Sequence, residues 1–167
     1  MISIRLIEAD ITSLSVDAIV CAASSTLLGG TGVDRAIHYA AGPALFEHCR
    51  HLGGCKTGQA VLTPGFNLPA KYIIHTVGPI WRGGEHFEET RLADCYRNSL
   101  KLASENNIRS IAFPAISCGN YGYPLMQACQ IALGNIRLHA SGRQFPERIY
   151  LACHTKDIWK AFKELLG

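Results

Sequence analysis

Short apolar runs of strand character punctuate the chain, and most are followed by stretches whose apolar residues recur every three or four positions. The runs Ile2 to Glu8, Ala18 to Ala22, Gln59 to Thr63, Tyr72 to Val77, Ser110 to Pro114 and Arg148 to Cys153 predict strands. Helices are predicted over Val33 to Ala41, Ala44 to Leu52, Glu88 to Asn106, Pro124 to Ala140 and Asp157 to Leu166. In the third helix Leu92, Tyr96, Ser99, Leu100 and Ala103 share a face, and Asn106-Asn107 supplies a stop. In the last, Asp157 is a candidate N-cap, with Ile158, Phe162, Leu165 and Leu166 on one face. Strands alternating with helices over the whole length imply a layered α/β architecture. With no internal repeat, low-complexity segment or long linker, residues 1–167 read as a single domain.

Composition narrows the classes. With 167 residues, 48% hydrophobic and 17% charged, the chain is suited to burying one substantial core. The net charge of +3 comes from scattered basic residues, so no basic stripe marks a nucleic-acid partner. The start, Met1-Ile2-Ser3-Ile4-Arg5-Leu6, lacks the form of a signal peptide, and no apolar run approaches the ~20 residues of a membrane span. The seven cysteines are odd in number and form no CxxC pair, which argues against a disulfide framework or a metal site. A cytoplasmic protein without a metal or other cofactor is the resulting expectation.

Candidate chemistry lies in two glycine-rich segments. Leu27-Leu28-Gly29-Gly30-Thr31-Gly32-Val33-Asp34 follows the second strand and leads into the first helix. Pro114-Ala115-Ile116-Ser117-Cys118-Gly119-Asn120-Tyr121-Gly122-Tyr123-Pro124 lies between the fifth strand and the next helix. Glycines between a strand and a helix let backbone N–H groups approach a phosphate, and the helix dipole favours the anion. Two such loops at one sheet edge suit a diphosphate gripped from both sides, although each is equally compatible with an ordinary turn. Neither is a P-loop or a dinucleotide fingerprint.

Six ordered segments carry a resemblance: Asp10-Ile11-Thr12, Val16-Asp17-Ala18-Ile19-Val20, Leu28 to Asp34 with Ala36-Ile37-His38, Cys55-Lys56-Thr57-Gly58, Leu68 to Pro79, and Ser117 to Pro124. Together they are similar to the macrodomain family, nearest to its MacroD-type ADP-ribosyl hydrolase branch, over nearly the whole chain. The resemblance implies a three-layer α/β/α fold around a mixed sheet of about six strands. It implies ADP-ribose, free or attached to a protein, as ligand. Asp10 then matches the residue that accepts from the adenine amino group, with Ile11 beside it; an acceptor there discriminates adenine from a keto base. Ala22 belongs to the segment after the second strand that borders the ligand. Gly29, Gly30, Gly32 and Val33 match the first phosphate loop, and Ser117, Cys118, Gly119, Asn120 and Tyr121 the second, with Tyr121 packed on the distal ribose. Asp34 matches the carboxylate near the reacting end of that ribose.

Three departures bear on function. Where the family has Asn-Ala-Ala-Asn, this chain has Cys21-Ala22-Ala23-Ser24, so Ser24 offers a hydroxyl at a catalytic position where an amide supplies both donor and acceptor. Thr31 replaces a glycine and requires ordinary backbone angles in its loop. His154 stands where many relatives carry an aromatic residue against the adenine. The first expectation is a hydrolase acting on mono-ADP-ribosyl esters of acidic side chains or on O-acyl-ADP-ribose, with Asp34 as base. The second is a non-catalytic reader of ADP-ribose, favoured by Cys21 and Ser24. An unrelated phosphatase or nucleic-acid binder lacks both metal-ligand clusters and a basic stripe. His38 and His75 show no evident acid partner and read as structural, and a nucleophilic Cys118 is a minor alternative.

Overall fold

The computed structural model describes residues 1–167. Its elements run β1 (Ser3–Glu8), a 3₁₀ turn (Ile11–Ser13), β2 (Ala18–Ala22), α1 (Gly32–Ala41), α2 (Pro43–Cys49), β3 (Ala60–Pro64), β4 (Tyr72–Thr76), α3 (Glu88–Glu105), β5 (Ser110–Phe113), α4 (Leu125–Gly142), β6 (Arg148–Cys153) and α5 (Lys156–Leu166). All six strands form one sheet in the order β1-β6-β5-β2-β4-β3. Every pairing is parallel except that of the edge strand β3 with β4, so the sheet is mixed.

The period-two alternation of the strands divides the interior in two. Along β2, Ala18 and Val20 face one core, and Ile19 and Cys21 face the other. The first contains 24 buried residues and is closed by α3, α4 and α5 through Leu92, Tyr96, Leu133, Ile136 and Phe162. The second contains 15 and is closed by α1 and α2 through Ile37, Ala41, Leu45 and Cys49. Helices on both faces bury the central strands β2 and β5 except at Ala22, where β2 meets the cleft, which is why they read as continuous apolar runs.

Two local features differ from the sequence reading. The N-cap of α5 is Thr155, whose hydroxyl accepts from the Ile158 N–H at 3.4 Å, not Asp157, which lies in the first helical turn. Both residue types cap well, and the chain selects the one nearer β6. The helix α2 stops at Cys49, because Arg50 to Leu52 form a turn.

Topology places the loops. After β2 the chain crosses to α1 on one face, and after the adjacent β5 it crosses to α4 on the other. Neighbouring parallel strands whose connections leave to opposite faces open a crevice at their carboxyl ends. The segments after Glu8, Ala22, Phe113 and Cys153 all leave from this edge.

Candidate functional site

Two adjoining cavities occupy that crevice, of about 660 and 450 Å³. They share Gly32, Val33, Pro114 and His154 and so form one continuous cleft. The larger is bordered by Asp10, Ile11, Ala152 and Thr155, the smaller by Ala22, Ser24, Gly30, Asp34, Ser117, Gly119, Asn120 and Tyr121. Thirteen of the fifteen sequence-selected residues therefore line one cleft; Gly29 and Cys118 do not. The Cys118 thiol donates to the Ile116 carbonyl at 3.5 Å, and burial pushes it up to about 11, which keeps it from acting as a thiolate.

At one end, Asp10 caps the 3₁₀ turn. Its Oδ1 accepts from the Thr12 N–H at 3.0 Å and from the Thr12 hydroxyl at 2.7 Å. The capping and recognition roles are compatible, because both bonds use one oxygen and Oδ2 stays free on an exposed side chain.

The first loop reaches the cleft through Gly30 to Val33. Gly32 opens α1 with φ +59, where a side chain would be strained. Thr31, the residue before it, is extended at φ −117, ψ 170, so its β-branch meets no backbone conflict. Its hydroxyl instead accepts from the Asn120 side-chain amide at 2.6 Å, tying the two glycine loops together across the cleft.

The second loop is braced from below. Ser117 adopts φ +66 and donates its hydroxyl to the Pro79 carbonyl at 2.8 Å, and the Trp81 N–H donates to the Tyr121 carbonyl at 2.8 Å. Glu88 organises the segment beyond Trp81, its carboxylate accepting from the backbone N–H groups of Arg82, Gly84 and His86. Burial alone would raise this carboxyl; the amide donors outweigh it and lower it to about 2.

Between the loops lies Asp34, 2% exposed and the only acidic residue lining the smaller cavity. Its Oδ2 accepts from the Ser24 backbone N–H at 3.0 Å, and its Oδ1 from the Cys21 thiol at 3.3 Å. Gly30 permits this approach, since a Cβ there would stand 3.0 Å from Oδ2. The Ser24 hydroxyl turns to Thr26 Oγ1 at 3.1 Å and the Gly29 carbonyl at 3.3 Å, bracing its own loop.

His38 is not without an acid neighbour: its Nε2 lies 3.6 Å from Asp34 Oδ1. The signal was present in the sequence as Asp34 and His38 at i, i+4 on a helix. Behind it, His75 is fully buried, its Nε2 paired with the Thr63 hydroxyl at 2.8 Å and its ring centroid 6.4 Å from that of His38. Burial, reinforced by His38 and His48, lowers His75 to about 3, so it is neutral. The bracing by Glu88 had no sequence signal beyond an acid in a helical first turn.

Comparison with known proteins matches this arrangement. The Macro domain family model matches residues 20–132. A Macro domain-containing protein of Methanosarcina mazei is 55% identical over 164 residues, covering 98% of this chain and 88% of the relative. The O-acetyl-ADP-ribose deacetylase of Salmonella newport is 51% identical over 167 residues, covering 98% of this chain and 93% of the relative. Among solved structures, the Trypanosoma brucei macrodomain in complex with ADP-ribose superposes with a TM-score of 0.92 at 43% identity, covering 98% of this chain and 69% of that one. The Oceanobacillus iheyensis macrodomain with ADP superposes with a TM-score of 0.93 at 39% identity, covering 96% and 88%. A six-stranded mixed sheet between two helical layers, a cleft walled by two glycine loops and these matches along the chain place the protein in the macrodomain family.

Proposed function

We propose that this chain binds ADP-ribose in the cleft and hydrolyses its acyl esters, O-acetyl-ADP-ribose among them. Adenosine occupies the larger cavity, with its amino group on Asp10 Oδ2 and its base between Ile11 and His154. The diphosphate lies at the shared wall, on backbone N–H groups of Gly32, Val33 and the second loop, where the start of α1 favours the anion. The distal ribose then extends toward Tyr121, Ser24 and Asp34.

Asp34 carries the reading, as a carboxylate held by two donors in a cavity walled by amide-rich loops. It orients and deprotonates a water that attacks the acyl carbon. The tetrahedral intermediate collapses by expelling the ribose hydroxyl, which takes up the proton, and acetate leaves. On a mono-ADP-ribosyl ester of an acidic side chain, the same carboxylate directs water to the anomeric carbon, and the protein carboxylate departs without a general acid. The seven free thiols suit a reducing cytoplasm.

A second reading, binding without turnover, is favoured by the Ser24 hydroxyl, which is committed to Thr26 and Gly29. Acetate release from O-acetyl-ADP-ribose separates the two. Wild type is expected to turn over, and Asp34→Ala to lose about 10²–10⁴-fold in kcat while ADP-ribose affinity changes little. Tight binding with no turnover at enzyme excess would leave the reader; no binding would remove both.

A further inference from the structure

The thiol that meets Asp34 comes from one of the departures from the family motif. Cys21 is fully buried near the end of β2, and the alternation of that strand turns its side chain toward the α1 layer, where Asp34 and His38 lie one helical turn apart. Two potential donors therefore converge on Asp34 Oδ1. Cys21 Sγ stands at 3.3 Å, a short contact for sulfur, and His38 Nε2 at 3.6 Å, beyond hydrogen-bond length. His38 Nε2 is buried and has no hydrogen-bond partner at all.

We propose that Cys21 is a positioning residue for the hydrolysis: its thiol fixes Asp34 Oδ1 and keeps His38 from closing onto that oxygen. This deepens the proposed function and rests on Asp34 being the carboxylate that handles water. A thiol is a weak donor, so it orients the carboxylate while withdrawing little of its electron density. An imidazole N–H on the same oxygen would be the stronger partner and would draw more of it. The thiol keeps its proton, because burial and then the adjacent Asp34 charge hold it well above its ordinary range. With Ser24 N–H on Oδ2, the carboxylate plane is set from both ends, and the accepting capacity left over faces the cleft.

Three proteins test this: wild type, Cys21→Ala and Cys21→Ser. Each is assayed for kcat and KM on O-acetyl-ADP-ribose, for ADP-ribose affinity, for melting temperature and for the imidazole ¹⁵N resonances of His38. Cys21→Ala is expected to lower kcat about five- to tenfold, the scale of one hydrogen bond, with KM and ADP-ribose affinity within about twofold. The His38 Nε2 resonance should move as the ring closes on Asp34. Cys21→Ser, whose hydroxyl can donate to the same oxygen, should recover most of kcat and return the His38 signal toward wild type. Wild-type kcat in Cys21→Ala overturns the inference. So does a loss shared equally by kcat, affinity and melting temperature that Cys21→Ser fails to rescue. Should the wild type itself release no acetate, the hydrolase reading falls, and an unchanged His38 resonance in Cys21→Ala then overturns this inference separately.

Discussion

In the proposed mode of binding, Asp10 serves two ends. Its Oδ1 is committed to Thr12 and its Oδ2 is free, so replacing it by alanine removes a cap and an acceptor together. Asp10→Asn separates them: the amide oxygen can keep the cap while the NH₂ faces the base. We expect Asp10→Asn to weaken ADP-ribose by about 1.5–3 kcal/mol, the worth of a hydrogen bond to a charged group. Because that NH₂ suits a keto oxygen, the variant should close the gap to the inosine analogue, which calorimetry with both nucleotides would measure. Ser24 calls for a different exchange. Ser24→Asn restores the amide of the family motif beside Asp34 and should raise turnover with little change in affinity, provided the bracing of Gly29 survives. A Ser24→Asn variant no faster than wild type would show that the hydroxyl is not what limits placement of the ribose.

Among elements, those with long periodic patterns were legible. All six strands and five helices lie where the alternation placed them, with ends that coincide or shift by at most three residues. The 3₁₀ turn was not legible, because three residues cannot show a period. Most of the cleft was legible through resemblance, but its supports were not. Thr31–Asn120 spans 89 positions, and the Ser117–Pro79 bond 38, and no local pattern encodes such pairs. Glu88 is the clearest case: a first-turn acid by sequence, it proves to collect three backbone amides and to set the loop that meets Tyr121. Its carboxyl is depressed from 4.5 to about 2, so the support it lends is complete above about 4.5 and lost as pH falls toward 2. Amide exchange at Arg82, Gly84 and His86 should accelerate across that window. Glu88→Gln should show the faster exchange already at neutral pH and bind ADP-ribose more weakly, through Tyr121, without any change at the adenine end.

For the molecule as a whole, two measurements follow. Saturating ADP-ribose, at ~100 times its dissociation constant, should add about 2.7 kcal/mol, a rise in Tm of roughly 5–11 °C for a domain of this size. Free ribose should leave Tm unchanged; an equal shift by both would remove the cleft as a nucleotide site. The second concerns acid. His75 is neutral when folded, with its pKa lowered from 6.5 to about 3, whereas the unfolded chain takes up a proton near 6.5. Stability from this residue is therefore intact above 6.5 and declines progressively as pH falls from 6.5 to 3, by up to ~1.4 kcal/mol per unit. His75→Gln, whose amide can still meet the Thr63 hydroxyl, should flatten the fall of Tm over that range. A variant with the wild-type slope would assign the acid sensitivity elsewhere.

The bond between Thr31 and Asn120 joins two loops that fold from different halves of the chain and answer to different cores. A hydroxyl at 31 gives the amide at 120 its partner, and the amide gives the hydroxyl its use. A glycine at 31, as in the family pattern, has no hydroxyl to offer, so the tie is a lock laid over two loops that can also stand apart. Thr31→Gly should hand each loop back its own motion, and amide exchange at Gly119 and Asn120 should quicken in that variant.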